Sequence, residues 1–140
     1  MPTEIDDLCE TIEDCYEFTL SYAAKGVAAD ESSDLGRQLR DKLTGAADAM
    51  RALDAAGAAL LVAGELKPAD KHRAFFEVMA RDAQCAAAAM ELVLAQPVIG
   101  TQMIDNLNAS IHLRALLTDL FLVTEILAAR QAQAKPVAAQ

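Results

Sequence analysis

The chain has no tryptophan, its aromatic residues amount to 4%, and its four prolines are widely spaced. They stand at Pro2, Pro68, Pro97 and Pro136, so the long stretches between them are free to be helical. β-branched residues are sparse as well, which argues against strands in every long segment. No long uncharged run is present: the most apolar window, Ile111 to Ala129, contains His112, Arg114, Asp119 and Glu125, each costly at membrane depth. It reads as a buried helix, and no membrane association is expected. The opening MPTEIDDLCE lacks the basic residues and short apolar run of a secretory signal, so export by that route is not expected. Cysteine is limited to three residues, an odd number, and Cys9 and Cys15 fall on one helix, where a rise of about 1.5 Å per residue keeps them too far apart to bond. An odd number of thiols suits a reducing compartment, and the cytoplasm is the expected location.

Positive charge is also short. From Met1 to Asp34 ten acids face Lys25 alone, whereas from Leu35 onward eleven acids balance eleven bases, so the whole net charge of −9 sits in the first quarter of the chain. Such a surface repels phosphate backbones, and no basic stripe elsewhere offsets it, so nucleic acid is not an expected partner. The acids of the first helix read as a solvated face favoured by the positive N-terminal end of the helix dipole. A docking strip for a basic partner is the functional alternative.

What the chain has in quantity is alanine, thirty in 140 residues, within an apolar fraction of 54%. Alanine loses no side-chain entropy in a helix, and a chain of this length buries a core without metal or disulfide. The expectation is one all-α domain over residues 1–130, an antiparallel up-down-up-down four-helix bundle, followed by a flexible tail over 131–140. Thr3 with Asp6 forms a capping-box pattern, and Ile5, Leu8, Ile12, Tyr16, Thr19 and Ala23 recur at helical steps, which predicts a helix over about 4–26. Gly26 and the AADESSD stretch then supply a stop and a polar loop. Leu39, Leu43, Ala46, Met50, Leu53, Gly57, Leu60 and Gly64 alternate steps of four and three, the seam of a supercoiled helix over about 33–64, with small residues allowing a close neighbour.

Pro68 suits the first turn of a third helix reaching about residue 95. Its seam is His72, Phe76, Met79, Ala83, Ala86, Met90 and Val93, and Phe75, Val78, Cys85, Ala89 and Leu92 form a second apolar side. QPVIGT breaks that helix, and Thr101 is the expected N-cap of a fourth running to about Arg130. The fourth carries Ile104, Leu107, Ile111, Ala115 and Leu122 on one side and Leu113, Leu116, Leu120 and Leu127 on the other, so it is apolar nearly all round.

Catalytic patterns are missing. Neither His72 nor His112 has a glutamate three residues before it, as di-iron bundles require, and the runs HRAFFE and HLRALL lack the lysine and glycine expected after a phosphotransfer histidine. There is no Gly-rich phosphate loop, HExxH, GxSxG or CxxC. No residue earns a catalytic assignment and no cofactor is expected. Asp105, Asn108, His112 and Asp119 share a side of helix 4, and bundle geometry sets His112 near the height of Cys15 and Cys85, which makes those three the weak candidates for a metal. The plainer reading is a polar stripe with cysteines that act as small hydrophobes. Arg114 and Glu125 among apolar neighbours, and more apolar surface than one bundle buries, point to association. The expectation is a non-enzymatic interaction protein, an adaptor, chaperone-like binder or regulatory subunit, that forms a homodimer through Leu113, Leu116, Leu120 and Leu127 with Val78, Leu92 and Cys85 from helix 3. A bundle that binds a metal or small ligand near His112 is the alternative.

Overall fold

The computed structural model describes residues 3–25 and 33–134, which form five helices and no strand. The polar loop expected at Gly26 and AADESSD lies outside the described residues. Helix α1 (Glu4–Ala24) begins at the anticipated capping box: Thr3 Oγ1 accepts from the Asp6 amide at 3.2 Å, and Asp6 Oδ2 accepts from the Thr3 amide at 2.7 Å. Its buried residues Ile5, Cys9, Ile12, Cys15, Thr19 and Tyr22 keep helical spacing. The stripe is turned slightly from the expected one, leaving Leu8, Tyr16 and Ala23 half-buried at its margin.

Helix α2 (Asp34–Val62) starts at Ser33, whose Oγ accepts from the Gly36 amide at 2.9 Å. The seam from Leu39 to Gly57 is buried as expected, joined by Ala47, Ala49 and Ala56. A methyl at Gly57 would stand 3.1 Å from Phe76 Cδ2, so the missing side chain is what lets the Phe76 ring of α3 lie against α2. Gly64 falls just past the helix end with a φ of 78°, the left-handed conformation that a terminating glycine adopts readily.

Helix α3 (Ala69–Leu94) buries Phe76, Met79, Ala83, Ala86, Ala87, Met90 and Val93. Arg40 of α2 donates to the carbonyls of Leu94, Gln96 and Pro97 at 3.1, 2.8 and 3.2 Å, placing a cation on the groups left open at the α3 C-terminus.

The expected fourth helix is two: α4 (Thr101–Ala109) and α5 (Ile111–Ala134). Gly100 rather than Thr101 occupies the cap position of α4. Ser110 leaves the helical conformation with ψ 131°; its Oγ accepts from the His112 amide at 3.2 Å and its carbonyl from the Arg114 amide at 3.1 Å, so it ends one helix and caps the next. The break changes which residues face inward. Leu113, Leu116, Leu117, Leu120, Val123 and Leu127 are buried, whereas Ile111 is 74% and Leu122 47% exposed. Helix α5 also continues to Ala134, beyond the expected start of the tail.

Helix α2 packs on α3 and α1, and the opposite side is closed by α4 against α1 and α5 against α3. The contacts thus form a ring with α4 and α5 sharing one position, and the core lies inside it. No helix among the described residues is long and apolar enough to cross a membrane.

Candidate functional site

Helices α3 and α5 run past each other in opposite directions, with Asp82 meeting Asp119 and, further along, Phe75 and Phe76 facing the stretch from Leu122 to Leu127. At that second level they leave a groove of about 150 Å³ lined by Phe75, Phe76, Leu122, Val123, Ile126 and Leu127, with Lys71 and His72 at its edge. The His72 ring lies edge-on to Phe76, with centroids 6.4 Å apart, and its Nδ1 is 2.8 Å from the Pro68 carbonyl. Leu122, 47% exposed, and Ile126, 39% exposed, open the groove to solvent, while Phe121, 51% exposed, stands on the same helix without lining it. Large apolar side chains are more exposed elsewhere, at Val62, Leu92 and Ile111, but among the described residues Leu122 and Ile126 are exposed ones that also line a groove.

Asp119 is 8% exposed and its Oδ2 has no hydrogen-bond partner among the described residues; Asp82 of α3 is the charged neighbour that acts on it. Burial, then the hydrogen bond to Asp82 and the charge of that neighbour, push the Asp119 carboxyl up to about 7. Two carboxyl groups in hydrogen-bond contact share a proton, because one of them must be the donor.

A second buried polar contact joins α1 to α4. Thr19 Oγ1 lies 2.9 Å from Asn108 Oδ1 and 2.9 Å from the Tyr16 carbonyl, so its single proton serves two acceptors, while Asn108 Nδ2 has no partner among the described residues. Nearby, the Tyr22 hydroxyl donates to the Ile99 carbonyl at 3.0 Å, tying the α3–α4 connection to α1.

The candidate metal residues fall apart. Cys15 is buried in α1, whereas Cys85 and His112 are exposed. No group of three or more His, Cys, Asp or Glu side chains able to hold a metal ion occurs among the described residues. The polar stripe divides too: Asn108 and Asp119 turn inward, Asp105 and His112 outward. The interface assignment needs correction for four of its members. Leu113, Leu116, Leu120 and Leu127 are at most 4% exposed, buried in the core of their own chain and out of reach of a second subunit. Leu92 and Cys85 are exposed and Val78 is half-buried. Arg114 and Glu125 are exposed, so neither is a buried charge in need of a partner.

The exposure of Phe121, Leu122 and Ile126 was hidden in the sequence by the apparent continuity of the fourth helix. The carboxyl pair had a readable signal, since Asp82 interrupts the Phe75, Val78, Cys85 series at the same three- and four-residue steps. The chain matches no protein-family model, no curated protein and no solved structure.

Proposed function

We propose that this chain is a non-enzymatic interaction protein that acts through helix faces and pairs with a second copy of itself across the α3–α5 surface. The observation that carries the reading is the apolar pair Leu122 and Ile126, one turn apart on α5 and partly exposed where they line the groove with Phe75 and Phe76. Charge selects the occupant. Helix α1 bears seven acids and no base, a surface that repels its own copy, whereas α3 and α5 together carry six acids and five bases. A two-fold interface presents the same patch twice, so a surface on which acids and bases nearly balance meets its copy without net repulsion. We also read the contact ring as an up-down-up-down bundle whose fourth member is divided at Ser110, and the compartment as the reducing cytoplasm, which suits three free thiols.

Sedimentation equilibrium at micromolar concentration tests the pairing. The expected mass is near twice the 14.9 kDa of one chain, and Leu122→Asp with Ile126→Asp should return it to the single-chain value while the helical circular dichroism persists, since both side chains are already well exposed. A wild-type mass of 14.9 kDa would refute the homodimer.

A further inference from the structure

We propose that Asp82 and Asp119 form a proton-held latch between α3 and α5, closed while the two carboxyls share a proton and released when both are ionised, so that α5 separates from α3 along the adjoining groove. The latch rests on where the pair sits. Asp119 is one helical turn from Leu122 and Val123, and Asp82 two turns from Phe76 and Phe75, so the carboxyls close one end of the apolar groove. Asp119 is buried with Oδ2 unpartnered, and loss of the shared proton leaves a buried negative charge facing another with no cation in reach.

The surroundings offer no compensation. Of the elements packed on α5, α3 provides Asp82 itself, with the adjacent Arg81 exposed; α4 carries a single charge, the exposed Asp105; and α1 carries acids only. On α5 itself Arg114, His112 and Glu125 are exposed, and Asp82 is the one charged group that acts on Asp119. The elevation of the Asp119 carboxyl, caused first by burial, places release near neutral pH. A carboxyl raised in the folded state contributes stability fully present below the ordinary carboxylate pKa of about 4 and lost as pH rises through the folded value. The latch is therefore closed in mild acid and open in mild base, whether or not a second copy covers the groove.

Hydrogen exchange of the full-length chain, corrected for the intrinsic pH dependence of exchange and read at two protein concentrations, tests this. Dilution shifts a dimer but not a latch within one chain. From mildly acid to mildly basic pH the amides from Asp119 to Leu127 should lose protection by at least tenfold relative to those of α2, equally at both concentrations, and Asp119→Asn should remove the difference. Should that variant not fold, carbon-13 titration of the wild-type carboxyls decides: Asp82 and Asp119 must titrate as a coupled pair that retains one proton towards neutrality. Ordinary, independent titration of both acids, or a loss of protection that persists in Asp119→Asn, would overturn the latch.

Discussion

Three cysteines of one chain occupy three chemical settings. Burial first, then the hydrogen bond from Cys9 Sγ to Glu13 Oε1 at 3.2 Å and nearby acids, push the Cys9 thiol up to about 12. Cys15 is raised to about 12 by burial, slightly opposed by Lys42. Cys85 is exposed on α3. Since the thiolate is the reactive form, a thiol reagent at mildly basic pH should modify one cysteine quickly and all three only after denaturation, with the fast label mapping to Cys85 by peptide mass spectrometry. Rapid labelling of Cys9 or Cys15 in the native protein would mean that α1 is not packed as described. The inward placement of Cys9 and Cys15 follows from α1 periodicity, since each lies three or four residues from another buried position. Cys85 falls outside the α3 seam, on the side that its spacing turns away from the core of its own chain. At Gly57 the sequence signalled close packing, and the partner ring, Phe76, came only with the structure.

Helix starts were legible where a side-chain pattern defines them, as at Thr3 with Asp6, whereas the choice of Ser33 as the cap before Gly36 came with the structure. Ser110 escaped notice for a physical reason. Its flanks, NLNAS and IHLRALL, contain neither proline nor glycine, and apolar spacing continues through the break, so only the choice between a serine in a helix and a serine capping one distinguishes one helix from two. That choice redistributed the whole candidate site, taking Leu113, Leu116, Leu120 and Leu127 inward and Leu122 outward. Ser110→Ala removes the oxygen that accepts from His112 and should cost about 1 kcal/mol, the typical value for a lost cap. Chemical denaturation measures it. A variant as stable as wild type, with Ala109 to His112 showing helical amide protection, would mean that the break is not held by the serine.

Over the whole molecule, charge is segregated, with acids gathered on α1, whereas the exposed apolar side chains run from Leu20 on α1 and Val62 on α2 to Leu92 on α3 and Ile111, Phe121, Leu122 and Ile126 on α5. Composition made the first fact plain and left the second undetermined, because which apolar residues remain outside depends on how five helices meet, and no residue type marks a helix face as functional. The acidic face permits a clean test. Glu10 and Glu17 are exposed and Glu13 is half-buried, and all three lie beyond the first turn of α1, where the helix dipole no longer favours an acid. They stand three and four residues apart, so each repels the next by a few tenths of a kcal/mol, about 0.2–0.5 per pair. Replacing all three by glutamine keeps an acceptor for Cys9 at position 13 and relieves that repulsion. The triple variant should therefore keep its helical circular dichroism and gain up to about 1 kcal/mol in low salt, with the gain fading as ionic strength screens the wild-type acids. Thermal unfolding at low and high salt gives the answer. A loss of more than about 2 kcal/mol would mean that these carboxylates are paired within the fold, which a solvated acidic face does not allow.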